Sequence, residues 1–181
     1  MHGTEAPSPW VRRWAHLIPP GGTALDVACG AGRHLRWLRA LGCVTTGVDR
    51  APDALAACEG LGELVCADIE NAPWPFEGRT FGAVIVTNYL WRPLLPKIIA
   101  SIAPGGILIY ETFAAGNETV GRPSRPDFLL APGELIGICS TLRVVAYEDG
   151  FLRDPDRFVQ RITAVREDPA ADARPRHLLP S

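Results

Sequence analysis

The sequence has no excess of charge of either sign. Its 181 residues include 18 Lys and Arg and 20 Asp and Glu, for a formal net charge of −2. Sequence-independent binding to nucleic acid needs a large positive surface, so we expect no nucleic-acid partner. Long hydrophobic runs are also missing, because none approaches the roughly eighteen apolar residues that suggest a membrane span. We therefore expect no membrane partner and a small molecule as substrate.

Cysteines and histidines at metal-binding spacing are absent as well. The five cysteines form no Cys-x-x-Cys pair and lie mostly in or beside predicted apolar elements, as buried free thiols do. The four histidines lack the paired spacing of a zinc site, so we predict no metal. Free thiols are typical of a reducing compartment. The first residues of the sequence also lack the basic and then apolar stretch of an export signal, so we expect a cytoplasmic protein.

Short apolar runs alternate with amphipathic segments along the chain. This pattern is typical of a doubly wound α/β fold, in which a parallel sheet is covered by helices on both faces. Together with the Gly, Pro and Asp residues that begin or end such segments, it predicts helices over 8–17, 33–41, 52–58, 90–103 and 133–140. The same reasoning gives five parallel strands over 23–28, 43–48, 63–67, 81–87 and 106–111, followed by two more over 142–148 and 158–165.

The length fits one compact domain, and 47% apolar residues suffice for a sizeable core. We predict a single domain over 1–166. Residues 167–181 are rich in Pro, Ala and Arg without periodicity, so we predict a disordered tail there.

A glycine-rich turn follows the first predicted strand. Gly30 and Gly32 let the backbone approach a ligand closely, and Asp26 offers a carboxylate suited to ammonium and hydroxyl groups. A dinucleotide site requires a third glycine three positions after the second, where Leu35 stands. An NAD-linked oxidoreductase is therefore disfavoured, and we keep it as an alternative.

The turn resembles the first motif of class I S-adenosylmethionine-dependent methyltransferases, Asp/Glu-x-Gly-x-Gly-x-Gly. Asp26, Ala28, Gly30 and Gly32 occupy its four positions, with alanine replacing the first glycine. The resemblance covers roughly residues 23–111 and is to small bacterial enzymes, including the tellurite-resistance type. It implies a Rossmann-like methyltransferase fold with a mostly parallel seven-stranded sheet, an antiparallel C-terminal hairpin, and S-adenosyl-L-methionine as cofactor.

Acidic residues also end the next two predicted strands. Asp49 stands at a spacing that suits hydrogen bonds from both ribose hydroxyls. The resemblance assigns Asp68 to the adenine amino group and Ile69 to the adenine ring. Three carboxylates at three consecutive strand tips together support an adenosyl ligand. The other positions that we assign to cofactor binding are Cys29, Arg33, Arg50, Thr87 and Asn88.

The fourth strand tip is expected to face the transferable methyl group. Asn88 is followed there by Tyr89 and Leu90, unlike the Asn/Asp-Pro-Pro-Tyr/Phe of enzymes that methylate bases or glutamine, so that class is disfavoured. Methyl transfer mainly requires alignment and desolvation. A base is needed only if the nucleophile arrives protonated, and the candidates are Tyr89 and Glu111, with His34 also possible.

The long loop over 114–130 carries glycines, prolines, Arg122 and Arg125. Such a loop suits a lid over an anionic substrate, and the alternative is a solvated surface connection. We assign Tyr89, Arg122 and Arg125 to the acceptor. The sequence thus predicts an enzyme that methylates a small molecule, and a cofactor-binding module without turnover remains the alternative from another class.

Overall fold

The computed structural model describes residues 6–173 and 175–180. The parts of the predicted domain and tail that fall on 1–5, 174 and 181 lie outside the described residues. The elements are α1 (Pro9–Trp14), β1 (Thr23–Val27), α2 (Arg33–Ala40), β2 (Val44–Asp49), α3 (Pro52–Ala56), β3 (Glu63–Cys66), β4 (Phe81–Thr87), α4 (Leu95–Ala100), β5 (Ile102–Phe113), α5 (Glu134–Ile138), β6 (Arg143–Leu152) and β7 (Arg157–Val165).

All seven strands form one sheet in the order β3-β2-β1-β4-β5-β7-β6. Strands β1 to β5 pair in parallel, whereas β7 pairs antiparallel with both β5 and β6. The predicted fold class is confirmed. The strand order reverses between β1 and β4, so the carboxyl ends of these two strands flank the crevice in which open α/β sheets bind ligands.

Alternation along the central strands divides the core between the two faces of the sheet. In β4, Val84 and Val86 join a cluster that includes Ile98 of α4 and Leu135 of α5. Ala83 and Ile85, which alternate with these valines along the strand, instead face a cluster built on α1 and α2. Successive side chains of a strand point to opposite faces of the sheet, so each strand contributes to both clusters. Helices cover both faces of the sheet as a result.

The amino-terminal helix is shorter than the predicted 8–17. Ser8 is its N-cap and accepts hydrogen bonds from the backbone N–H groups of Trp10 and Val11. After Trp14 the chain tightens into a 3-10 turn over Ala15–Leu17. Both tryptophans are buried against the sheet, so this helix is an integral part of the core.

The helix predicted over 90–103 is wrong in extent. It is reduced to α4, preceded by a 3-10 turn over Arg92–Leu94, because Pro93 and Pro96 lack an N–H and fit only the first turns of the two helices. Strand β5 begins earlier than predicted, since Ile102 pairs with Phe81 ahead of the glycines that follow.

The loop over 114–130 has a fixed internal structure. An isolated bridge joins Ala114 to Leu130 at its base. Buried Asn117 donates from Nδ2 to the Pro123 carbonyl at 2.9 Å and accepts from the Phe158 N–H at 3.2 Å. The loop is therefore anchored to the start of β7 at its centre and closed at its base.

The described part of the carboxyl-terminal segment, 167–173 and 175–180, contains no helix or strand. The Leu178 carbonyl nevertheless lies 2.9 Å from Nε2 of His16. The disorder predicted for this tail stays a prediction. Among the described residues, no helix combines the length and hydrophobicity required to cross a bilayer.

Candidate active site

The turn after β1 presents its backbone toward the crevice. Ala28, Gly30 and Gly32 all take positive φ angles, of 55°, 53° and 76°. Ala28 occupies the position where the resembled motif has glycine and still adopts the left-handed conformation. The N–H of Cys29 is held by the Val48 carbonyl at 3.0 Å, which fixes the turn against β2.

Asp49, the last residue of β2, binds this turn directly. Its Oδ2 accepts the Gly30 N–H at 2.8 Å, and its Oδ1 accepts the Ala51 N–H at 2.9 Å. Each carboxylate oxygen has a further lone pair, so Asp49 can still accept hydrogen bonds from two ligand hydroxyls.

Asp68 follows β3 and organises a local turn. Its carboxylate accepts hydrogen bonds from the Glu70 N–H at 3.1 Å and from Nδ2 of Asn71 at 2.9 Å. The hydrogen bond from the Asn71 side chain, followed by the one from the Glu70 backbone, lowers the pKa of Asp68. Asp68 is therefore an ionised acceptor at neutral pH, beside the buried side chain of Ile69.

These strand tips enclose two adjoining cavities. The first has a volume of about 150 Å³ and is lined by the ends of β2 and β3 together with Tyr89, namely Ala28, Asp49, Arg50, Asp68, Ile69, Glu70 and Tyr89. The second measures about 290 Å³ and is lined by the glycine turn, the start of α2 and the end of β4, namely Ala28, Cys29, Gly30, Ala31, Arg33, His34, Thr87 and Asn88. Ala28 lines both, so the two cavities adjoin, and we refer to the pair as the cleft.

Tyr89 lies in the first cavity, beside the ends of β2 and β3. Burial and the neighbouring Glu70 carboxylate raise the pKa of Tyr89 well above its usual range. Its hydroxyl is buried and lies close to the Glu70 carboxylate. The Tyr89 carbonyl accepts the hydroxyl of buried Tyr110 at 2.9 Å, which fixes this strand tip. Tyr89 is therefore a protonated phenol in the wall of the first cavity.

Cys29 and Arg33 line the second cavity. Burial, followed by the nearby Asp26 charge, raises the pKa of the Cys29 thiol well above its usual range. This thiol therefore stays protonated at neutral pH and is a poor nucleophile. Nη2 of Arg33 lies 3.4 Å from Oγ1 of Thr87, so the start of α2 contacts the end of β4 across the cleft.

Asp26 lies behind the glycine turn, with 1% of its surface exposed. Its Oδ2 is 3.6 Å from Nδ1 of His34 and has no hydrogen bond from any described group. Gly32 also lies behind the cleft lining, as the N-cap residue of α2. A Cβ on Gly32 would come within 2.6 Å of the Cys58 sulfur, so the close packing of α3 requires glycine there.

The remaining predicted residues lie outside both cavity linings. Glu111 is buried, accepts the Ser8 hydroxyl at 2.9 Å and pairs with Arg161 at 3.4 Å. Arg122 is exposed on the loop over 114–130, and Arg125 pairs with Asp127 at 2.8 Å in full contact with solvent. The structure does not bring Arg122 and Arg125 together with the cofactor candidates. The backbone of Glu111 pairs with Thr87, and its carbonyl accepts the Asn88 N–H at 2.9 Å, but its carboxylate binds Ser8 and Arg161 and lines neither cavity.

Three residues near the cleft were not assigned a role from the sequence. Ala31 and Glu70 line the cavities next to assigned positions, so proximity in sequence could have indicated them. Ser8 contacts His34, which is 26 residues away, and no local pattern predicts that contact. Within 6–173 and 175–180, no three His, Cys, Asp or Glu side chains cluster in a way that could hold a metal ion.

Comparison with known proteins shows what this chain is similar to. Residues 24–106 match a family described as "Methyltransferase domain". The solved structure of TehB from Haemophilus influenzae superimposes with a TM-score of 0.73 at 21% identity, covering 92% of this chain and 64% of that one. A TehB-like SAM-dependent methyltransferase from Corynebacterium glutamicum gives a TM-score of 0.65 at 16% identity, covering 87% of each chain.

A curated relative, the tRNA U34 carboxymethyltransferase of Pseudoalteromonas translucida (strain TAC 125), is 28% identical over an alignment of 135 residues, and the match covers 62% of this chain and 40% of the relative. This chain thus spans less than half the length of that protein. The structural likenesses show the shared fold. The domain match, which spans less than half of this chain, confirms the predicted resemblance to methyltransferases as a similarity.

Proposed function

We propose that the chain is an enzyme that transfers a methyl group from S-adenosylmethionine to a small-molecule acceptor. The observation that carries the proposal is the pair of adjoining cavities at the reversal of strand order. They are formed by the left-handed glycine turn after β1 and by Asp49 and Asp68 at the ends of β2 and β3. Ligands of open α/β sheets bind at this position.

The chemistry of the lining suits the parts of this cofactor. Asp49 keeps acceptor capacity for two ribose hydroxyls, and ionised Asp68 suits an amino group of adenine beside the apolar Ile69. We assign Tyr89, Arg50 and Glu70 to the same end, because they line the same cavity.

The second cavity suits the amino-acid end of the cofactor. Its backbone turn, with Cys29, Gly30 and Arg33 on one side and Thr87 and Asn88 on the other, provides polar groups at close approach. Asp26 lies beneath this turn as a buried carboxylate close to Cys29 of the cavity lining, and its negative charge favours a cationic ligand there.

S-Adenosylmethionine supplies a methyl group activated by the sulfonium, so the protein's task is to align the acceptor and exclude water. The candidate side chains fit a mechanism in which the protein supplies no base. Tyr89 is protonated at neutral pH because its pKa is raised, so it is unsuited to act as a base there. Both oxygens of Glu111 face protein partners away from the cleft. We therefore propose transfer to an acceptor that needs no side-chain base.

A small acceptor is favoured over RNA by charge. The net charge of −2 gives no general attraction for phosphate, and Arg122 and Arg125, the candidates for an anionic group, lie outside the cleft. The tRNA-modifying relative makes RNA the second acceptor class to test.

Calorimetric titration with S-adenosylmethionine, S-adenosylhomocysteine and NAD at matched salt tests the cofactor. We expect 1:1 binding of both adenosyl ligands and none of NAD, whereas NAD binding alone would overturn the proposal. Formation of S-adenosylhomocysteine is then measured with a panel of small amines, thiols and carboxylates, and with unmodified tRNA. Turnover on tRNA alone would replace the small-molecule acceptor, and binding without turnover on any acceptor would favour a module that does not catalyse.

A further inference from the structure

The amino-terminal segment reaches the glycine turn from its buried side. The backbone N–H of Ser8 donates to Nε2 of His34 at 3.1 Å. Ser8 is 3% exposed and His34 is 2% exposed, so this hydrogen bond is shielded from water. Because a nitrogen that accepts an N–H carries no proton, His34 is neutral in this arrangement and holds its proton on Nδ1.

That proton faces Asp26. Nδ1 of His34 is 3.6 Å from Oδ2 of Asp26, the carboxylate oxygen that lacks a hydrogen bond from the described groups. A separation of 3.6 Å exceeds a normal hydrogen bond. Functional contacts are often long in the free protein and shorten when a ligand binds. The pair is thus arranged to form a hydrogen bond through a movement of less than 1 Å, on the order of 0.5 Å.

Ser8 is itself held firmly by the core. Its hydroxyl donates to Oε1 of Glu111 at 2.9 Å and accepts the Trp10 N–H at 3.1 Å. The Trp10 indole donates to the Ile162 carbonyl at 3.2 Å and lies beneath the Arg161 guanidinium, 4.8 Å from the ring centre. These contacts fix the Ser8 amide relative to β5 and β7, and through it the His34 ring.

We propose that His34 is a positioning residue for the cofactor and that the amino-terminal segment sets its orientation. Ser8 fixes the tautomer of His34, and the Nδ1 proton then holds the Asp26 carboxylate in one orientation beneath the second cavity. A neutral imidazole also adds no positive charge beside a ligand that carries ammonium and sulfonium groups. This inference rests on the proposed function and concerns the amino-acid end of the cofactor.

Two substitutions test the roles of the two ring nitrogens of His34 separately. His34→Gln places an amide near the position of Nε2, so it keeps a partner for Ser8 and loses the donor to Asp26. His34→Asn places an amide nitrogen near Nδ1, so it keeps the donor and loses the contact with Ser8. Both variants remove the aromatic ring, and Asn is smaller than Gln by one methylene, so packing alone would make His34→Asn the more damaging change.

The affinity of each variant is measured by calorimetry for S-adenosylhomocysteine and for 5′-methylthioadenosine, which lacks the amino-acid end. We expect His34→Gln to weaken S-adenosylhomocysteine binding about tenfold, as for loss of a hydrogen bond to a charged group, and to leave 5′-methylthioadenosine within about twofold. We expect His34→Asn to retain S-adenosylhomocysteine affinity within about threefold.

Equal loss for both ligands, or no loss in His34→Gln, would overturn the positioning role and leave the proposed function in place. If the wild-type protein binds neither ligand, the proposed function fails and this inference fails with it. Should His34→Gln not fold, Ser8→Ala provides the second measurement. That variant keeps the backbone N–H that binds His34 and removes the hydroxyl that binds Glu111. We expect it to weaken the binding of S-adenosylhomocysteine about threefold and to leave that of 5′-methylthioadenosine unchanged.

Discussion

The backbone N–H of Gly30 donates to Oδ2 of Asp49 at 2.8 Å. This bond joins the glycine turn after β1 to the end of β2 and so couples two segments of the proposed cofactor site within the protein itself. Asp49 also holds the Ala51 N–H at the start of the following helix. One carboxylate therefore shapes the cleft and keeps acceptor capacity for a ligand.

We expect Asp49→Ala to weaken binding of S-adenosylmethionine about tenfold or more, because hydrogen bonds to a charged acceptor are lost. The protein should still fold, with a free energy of unfolding lower by about 1 kcal/mol, since two backbone N–H groups also lose their partner. Calorimetry and urea unfolding measure the two effects. Asp53→Ala, an exposed carboxylate in the next helix, is the control and should change neither. Unchanged affinity in Asp49→Ala would contradict the ribose assignment.

Tyr89→Phe should weaken cofactor binding about threefold to tenfold, because it removes a buried hydroxyl beside Glu70 in the wall of the first cavity. The raised pKa keeps the phenol protonated, so turnover at saturating cofactor should show the same pH dependence from pH 6 to 9 in both proteins. Steady-state kinetics on the acceptor found by screening measure this. Tyr147→Phe, whose hydroxyl bonds Asp149 outside the cleft lining, serves as the control. A rise of turnover with pH that is present in wild type and disappears in Tyr89→Phe would restore Tyr89 as a base.

Gly30→Ala and Gly32→Ala should differ in stability although both residues have positive φ angles. A Cβ on Gly30 meets nothing within 4 Å, so we expect a cost of about 1 kcal/mol from backbone conformation alone. At Gly32 the added carbon meets the Cys58 sulfur, and overpacking adds about 1–3 kcal/mol. Urea unfolding compares the two. Adding Cys58→Ala to Gly32→Ala should recover part of the loss, and equal costs for the two glycines would refute the packing argument.

The Arg92 guanidinium anchors the loop over 114–130 to α5. It binds both carboxylate oxygens of Glu134, at 2.7 and 2.9 Å, and the carbonyls of Asp127 and Leu129. Partial burial opposes ionisation of Glu134, but the hydrogen bonds from Arg92 and from the Ala131 N–H outweigh it and lower the pKa. The stability that this group contributes is therefore present above the unfolded-state pKa and is lost as the pH falls through the lower folded-state value.

We accordingly expect Glu134→Gln to lower the free energy of unfolding by about 1 kcal/mol at pH 7, with the difference from wild type vanishing near pH 3. Urea unfolding at a series of pH values measures this difference. Asp127→Asn, which breaks the fully exposed pair with Arg125, should change stability by less than about 0.5 kcal/mol. A difference that persists unchanged at pH 3 would show that the charge on Glu134 is not its source.

The strand tips could be located from sequence because each depends on local pattern. Asp26, Asp49 and Asp68 follow apolar runs, and the structure places all three along one edge of the sheet. The extent of α4 was mistaken because hydrophobic spacing over 90–103 outweighed two prolines in the prediction. Arg122 and Arg125 were assigned to the acceptor by residue type and loop length, but neither property fixes the direction in which a loop folds.

By itself, the sequence determined the alternation of strands and helices, the glycine turn and the order of the acidic residues, since these follow from the periodicity of side chains and the conformational freedom of glycine. Only the tertiary structure decided which groups share a cavity and which face each other in the interior. Tyr89 lies with Asp68 and Glu70, and Ser8 lies against His34, through contacts between segments distant in the chain. Such contacts depend on how whole elements pack, and no local pattern encodes them.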